Sequence, residues 1–83
     1  MRVELSQQAS KYLKRLNSPL KERIIEAMKG LSEEPPRGDI RALSGRDGYR
    51  IRVGDYRILF DIDDQNIIVH DIAPRGQAYK GRR

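Results

Sequence analysis

Three arginines recur in a stretch whose pattern predicts paired strands. Arg50, Arg52 and Arg57 all lie within "GYRIRVGDYRILF", residues 48–60. A guanidinium stays charged in any protein environment and binds a phosphate through two parallel hydrogen bonds. This residue type at this spacing predicts electrostatic chemistry on a polyphosphate, and nucleic acid is the leading class of partner.

The composition is consistent with such a partner. The 83 residues carry a formal net charge of +5, and twelve arginines stand against five lysines. Many small soluble domains are equally basic, so a merely solvated surface is the alternative interpretation. The lack of cysteine excludes a disulfide framework and a thiol nucleophile. No apolar leader is present and the apolar runs are too short to span a bilayer, so we expect a cytoplasmic protein without membrane contact.

A short strand and two amphipathic helices are predicted before the arginines. Residues 2–5 alternate as a strand does, and Ser6 is a suitable N-cap for the first helix. The second helix is expected to have Ser18 as its cap and Pro19 at its first helical position, and to stop at residues 33–36. The apolar positions at helical spacing are Ala9, Tyr12, Leu13 and Leu16, followed by Leu20, Ile24, Met28 and Leu31.

From residue 48 onward the apolar period changes to two. Gly54-Asp55 predicts a two-residue hairpin turn, residues 63–66 predict the next turn, and residues 67–72 predict a further strand. Residues 37–47 are expected to form a crossing loop, because they hold several glycines and charges and few apolar anchors. We therefore predict one α+β domain over residues 1–83, in β-α-α-β-β-β order, with a twisted antiparallel sheet backed by an N-terminal helical hairpin.

The hairpin turn fixes the expected register. A two-residue loop at Gly54-Asp55 pairs Arg52 directly with Arg57, and Arg50 lies two residues along on the same side. We call the side of the sheet that carries these three side chains the arginine face. Like charges directly opposite each other are unfavourable. The predicted arrangement is an open platform of guanidiniums, on which Asp61 is the nearest carboxylate.

These residues carry a resemblance to a known family. The segment "LSGRDGYRIRVGDYRILFDIDDQNIIVHDIAPRGQAY", residues 43–79, follows a strand and a helical hairpin and resembles the RelE-like branch of the RelE/ParE toxin superfamily of type II toxin-antitoxin systems. The resemblance implies a toxin that enters the ribosomal A site and cleaves mRNA there by attack of a 2′-hydroxyl, with no cofactor and no metal. It also implies a RelB-like antitoxin as partner, through which operator DNA would be reached indirectly.

The same resemblance implies the site residues. It makes Arg52, Arg57, Arg75 and Tyr79 catalytic, and it makes Arg50, Arg46 and Lys80 contacts to RNA. In that scheme Arg57 and Arg75 stabilise the phosphorane, and Tyr79 stacks on an unpaired base. Members of the branch commonly carry lysine at the positions of Arg50 and Arg52. Because arginine is a poor general base, the resemblance leaves the proton acceptor unassigned.

His70 is the one histidine and the obvious substitute for that acceptor. The expected register places it opposite Leu59 on the arginine face, but a slip of one residue would turn it away, and a structural histidine is the favoured interpretation. Two other kinds of site are disfavoured. A Ser-His-Asp triad is disfavoured because nothing ties a serine to His70. A metal site is disfavoured because Asp63 and Asp64 lie in a predicted turn, where aspartate is common for conformational reasons. The carboxylates considered for a metal are Asp61, Asp63, Asp64 and Asp71.

Three functions remain open from the sequence. The favoured one is a ribosome-dependent endoribonuclease. The second is a ParE-like inhibitor of DNA gyrase, and the third is an inert member that binds nucleic acid or antitoxin. Cleaved mRNA, blocked DNA supercoiling or neither would distinguish them.

Overall fold

The computed structural model describes residues 2–74 as two helices packed on one five-stranded sheet. The strands lie in the order β1-β5-β4-β3-β2. The α+β class and the helical hairpin between the first strand and the arginine-rich strands are confirmed. In chain order the elements are β1 (Arg2–Leu5), α1 (Gln7–Arg15), α2 (Leu20–Leu31), β2 (Ile40–Ala42), β3 (Tyr49–Val53), β4 (Tyr56–Asp63) and β5 (Asn66–Pro74).

The sheet differs from the prediction at both edges. It is mixed rather than wholly antiparallel, because β1 runs parallel to β5, with Val3 beside Ile67. The stretch predicted as a crossing loop also contains β2, which pairs antiparallel with β3 and sets Ile40 opposite Ile51. A strand of three residues is too short to show alternation in the sequence, so its pairing became visible only in the fold.

The two helices begin in different ways. The Ser6 side chain caps α1 as predicted, with its Oγ accepting a hydrogen bond from the Ala9 backbone N–H at 3.0 Å. The predicted Ser18 cap of α2 is wrong: Pro19 holds the cap position, and no side-chain hydrogen bond caps that helix in the described part of the chain. The Ser18 hydroxyl instead donates to Glu22 Oε2 at 2.6 Å.

The hairpin registers follow the prediction closely. Val53 pairs with Tyr56 and Arg52 with Arg57, and Ile62 pairs with Ile67 across the next turn. Gly54 has φ +59°, which is the left-handed conformation that such a turn requires and that glycine adopts without steric cost.

The core lies between the helices and one side of the sheet. Of the apolar positions predicted at helical spacing, Ile24 and Met28 of α2 are buried there, while Tyr12, Leu13 and Leu16 are half-buried and pack against the core. No helix within residues 2–74 is long and apolar enough to cross a membrane. The largest fully buried side chains are Phe60, Ile24, Leu31, Ile58, Ile67, Ile72 and Val69.

Candidate nucleic-acid interface

The arginine face is the side of the sheet that points away from the helices. Arg52 lies directly opposite Arg57, as the sequence predicted, and Arg50 lies opposite Leu59. Side chains that alternate with the buried residues of β3 and β4 must point to this side. Two guanidiniums are thereby held as cross-strand neighbours.

A fourth arginine joins this face from the unpredicted strand. Arg41 of β2 lies directly opposite Arg50, and its Nε is 3.2 Å from Asp39 Oδ1. Sequence reasoning missed Arg41 because residues 37–47 were interpreted as a loop. The only available signal was the Ile40-Arg41 step, in which an apolar residue precedes a cation, and one step cannot define a period. The face therefore carries two adjacent arginine pairs across three strands.

The arginine face is not an open platform along its whole length. Arg52 is exposed and Arg50 is half-buried, but Arg57 is only 9% exposed. Leu59 and Ala73 are buried on this side, and Leu43 packs against them. The loop between β2 and β3 thus covers part of the sheet that the sequence analysis expected to be bare.

Arg50 has a buried donor that is not used within the described chain. Its Nη1 is buried, and no atom of residues 2–74 accepts a hydrogen bond from it. Burying a donor without an acceptor costs about 1–3 kcal/mol, so such groups are uncommon in folded proteins.

His70 lies on the arginine face, although not in the expected register. Leu59 pairs with Asp71 and Phe60 with Val69, so His70 is the extra residue of a β-bulge and has no Cα partner in the described β4–β5 ladder. Its predicted position opposite Leu59 is therefore wrong. The His70 Nε2 lies 2.6 Å from Asp61 Oδ2, and this contact fixes the ring on the same side as Asp61.

A cleft of about 270 Å³ opens beside this pair. The guanidinium-bearing residue that lines it is Arg46, one of the residues predicted to contact RNA. Gly48 lines it as well, with φ +114°, and a Cβ at that position would lie 2.9 Å from Asp61 Oδ1. Glycine is needed here both for the backbone conformation and for the space beside Asp61.

The remaining predicted site residues lie elsewhere. Arg75, Tyr79 and Lys80 fall outside the described residues. Asp71 accepts a hydrogen bond from Gln8 Nε2 at 3.0 Å, in contact with α1 rather than with the cleft. Within residues 2–74, no group of three or more histidine or carboxylate side chains is placed to hold a metal ion.

Comparison with known proteins identifies the family of this chain. A family model described as "ParE toxin of type II toxin-antitoxin system, parDE" matches residues 3–79. This chain belongs to that toxin family. No curated protein matches it.

Solved structures place the toxin more finely. The archaeal RelE of the RelE-RelB complex from Pyrococcus horikoshii is 32% identical, with 92% of this chain and 96% of that chain covered and a TM-score of 0.70. The RelB-RelE complex from Methanococcus jannaschii matches at 26% identity, over 96% of this chain and 99% of that one, with a TM-score of 0.74. The isolated E. coli RelE toxin has the same fold, with a TM-score of 0.75 at 22% identity over 98% and 93% of the two chains. The toxin is therefore in the RelE-like branch of the RelE/ParE superfamily, as its hairpin motif predicted.

Proposed function

We propose that this toxin cleaves mRNA in the ribosomal A site, by attack of a 2′-hydroxyl on the adjacent phosphorus and without a metal ion. The observation that carries the proposal is the pairing of Arg41 with Arg50 and of Arg52 with Arg57 on one sheet face. Like charges directly opposite cost about what an opposite pair would gain, roughly 0.2–1 kcal/mol. A polyanion laid across both pairs offsets that repulsion, and an RNA backbone is such a polyanion.

The arginines would serve this reaction in different ways. Arg52 is exposed and can contact a phosphate directly. Arg57 is nearly buried, so its charge acts through a medium of lower dielectric constant and is well suited to stabilise the extra negative charge of a phosphorane. Arg75 and Tyr79 keep the roles that the resemblance implies: a further positive charge and a surface for base stacking. Arg50, Arg46 and Lys80 keep the role of RNA contacts that the resemblance implies.

The proposed partners follow from the same reasoning. Ribosomes and mRNA are cytoplasmic, so the toxin would act in the cytoplasm. The solved relatives from P. horikoshii and M. jannaschii are complexes of RelE with RelB. We propose a RelB-like antitoxin whose acidic, partly disordered chain orders on this basic protein and holds it inactive. Operator DNA would be bound through the antitoxin.

A second candidate is inhibition of DNA gyrase. It is favoured by the match of residues 3–79 to the ParE family model, because ParE-like toxins act on gyrase. In that case the arginine pairs would be scaffold, and their replacement would leave the toxic activity unchanged.

Primer extension on a defined mRNA in purified ribosomes tests the proposal. Arg52→Ala is the informative variant, because Arg52 is exposed and its removal should leave the fold intact. The matched control is Arg15→Ala, which removes the same charge from exposed α1, on the helical side of the sheet. Removing one charge-stabilising donor costs on the order of 10²–10³ in rate, so cleavage at the A-site codon should nearly vanish in Arg52→Ala alone.

Two results would contradict the proposal. Intact mRNA at stoichiometric wild-type toxin would reject the nuclease, and blocked supercoiling by purified gyrase would then support the second candidate. Equal cleavage by Arg52→Ala and Arg15→Ala would mean that net charge alone matters and that the arginine face has no specific role.

A further inference from the structure

The cleft beside the arginine face contains side chains with complementary properties. Its volume of about 270 Å³ is just below the lower end of the range for small-molecule pockets, about 300 Å³. It is therefore suited to part of a larger ligand that crosses the surface. Leu43 and Leu59 give it apolar walls, Arg46 gives it a cation, and Asp61 and His70 give it a hydrogen-bonded pair.

The contact between His70 and Asp61 determines which ring nitrogen is free to react. Nε2 lies 2.6 Å from the Asp61 carboxylate, so Nε2 carries the hydrogen that Asp61 accepts. Nδ1 then has the lone pair. A carboxylate that holds a histidine in one tautomer and stabilises its cation is the arrangement by which enzymes use imidazole as a general base.

Three features of the fold hold this pair in place. Alternation after Val69, whose side chain lies in the core, puts His70 on the arginine face, and the β-bulge leaves it without a Cα partner in the described β4–β5 ladder. The Ser6 hydroxyl, at the start of α1, donates to the His70 carbonyl oxygen at 2.8 Å and fixes the backbone. Gly48 leaves room for Asp61, since a Cβ there would press on its carboxylate.

Both cations and carboxylates surround the pair. Arg46 and Asp47 face the cleft from the loop before β3, and Asp71 is the next residue on β5. Arg50 lies opposite Leu59, which itself lines the cleft, and the Arg50 Nη1 is the buried donor without an acceptor in residues 2–74. A phosphate bound by Arg46 in the cleft would lie beside the imidazole.

We propose that His70 is the general base of this toxin and that Asp61 is its positioning residue. The inference rests on the proposed function, because it assigns the proton acceptor that arginine cannot provide. His70 Nδ1 takes the proton of the 2′-hydroxyl while the 2′-oxygen bonds to phosphorus and the bond from phosphorus to the 5′-oxygen breaks. The departing 5′-oxygen takes a proton from water, and the imidazolium returns its proton to solvent. The products are a 2′,3′-cyclic phosphate and a 5′-hydroxyl end.

Single-turnover cleavage of ribosome-bound mRNA, followed as a function of pH, tests this assignment. His70→Gln should lower the rate on the order of 10²–10⁴-fold and remove the acidic limb of the pH–rate profile. Asp61→Asn should lower the rate less and displace that limb. The matched control is Asp63→Asn, which removes the same charge two residues along β4 at an exposed position and should match wild type.

Each outcome decides a different point. If wild type cleaves and His70→Gln keeps the same rate and limb, the general-base assignment is overturned while the nuclease stands. If wild type does not cleave, the proposed function and the assignment are rejected together. Should His70→Gln fail to fold, the Asp61→Asn profile decides: a displaced limb supports the assignment, and a profile like that of Asp63→Asn overturns it.

Discussion

Replacing Gly48 with alanine tests how the cleft is built. Gly48 has φ +114°, and an added Cβ would lie 2.9 Å from Asp61 Oδ1 and 3.2 Å from Leu43 Cδ1. Asp61 can relieve the first contact only by rotating, which would disturb its 2.6 Å bond to His70. Gly45 provides the matched control, because it also has positive φ, +73°, while no described atom lies within 4 Å of its Cβ position.

Both substitutions carry a backbone cost, and only Gly48→Ala adds a steric one. Alanine in the left-handed region costs about 1–2 kcal/mol, which applies to Gly45; Gly48, with φ +114°, lies beyond that region and its backbone cost is at least as large. Crowding in a packed site adds about 1–3 kcal/mol, and this applies only to Gly48. We therefore expect Gly48→Ala to lower the free energy of unfolding by about 2–5 kcal/mol and Gly45→Ala by about 1–2 kcal/mol. At about 0.05–0.15 kcal/mol per residue, the larger loss is a substantial part of total stability.

Urea unfolding followed by circular dichroism measures both values. The midpoint should fall further for Gly48→Ala, with an unchanged dependence of the unfolding free energy on urea concentration. If the two variants lose the same stability, the Cβ at position 48 meets no resistance, and the packing of Asp61 against Gly48 is refuted.

Three further predictions concern the elements that support the site. Phe60→Ala empties a fully buried position and should cost about 3–5 kcal/mol in urea unfolding, whereas exposed Ile62→Ala should cost far less. Ser6→Ala removes the α1 cap and the bond to the His70 carbonyl, and should cost about 0.5–2 kcal/mol, against little change for Ser44→Ala in an exposed loop. Glu33 accepts hydrogen bonds from Arg37, and this contact with the nearby positive charge lowers the pKa of Glu33. The contribution of Glu33 to stability is therefore present at neutral pH and lost as pH falls through its lowered pKa. The difference in the free energy of unfolding between wild type and Glu33→Gln should shrink in acid. A difference that does not change with pH would contradict a stabilising ion pair between Glu33 and Arg37.

The local sequence pattern predicted the part of the fold that surrounds the arginines. Period-two alternation and the Gly54-Asp55 turn together determine that Arg52 lies opposite Arg57, because a two-residue loop allows one register. The same logic paired Ile62 with Ile67. Family resemblance supplied the branch of the superfamily, which the comparisons confirmed.

Features that depend on distant pairing were not visible in the sequence. The three residues of β2 show no period, so Arg41 was missed and the stretch was taken for a loop. A β-bulge shifts the register of a strand by one residue, and no particular residue type marks it in the sequence. The pairing position of His70 was therefore predicted wrongly. The sequence favoured a structural histidine because a slip of one residue would turn His70 to the other face, whereas in the structure its Nε2 lies 2.6 Å from Asp61 Oδ2.

The most direct test of the central claim is to map the ends of an mRNA recovered from programmed ribosomes after incubation with the wild-type toxin. We predict a cut within the A-site codon, with a 2′,3′-cyclic phosphate on the upstream fragment and a 5′-hydroxyl on the downstream fragment, and no cut in ribosome-free RNA. Intact mRNA at stoichiometric toxin would contradict the account. Fragments that end in a 3′-hydroxyl and begin with a 5′-phosphate would contradict the attack of the 2′-hydroxyl.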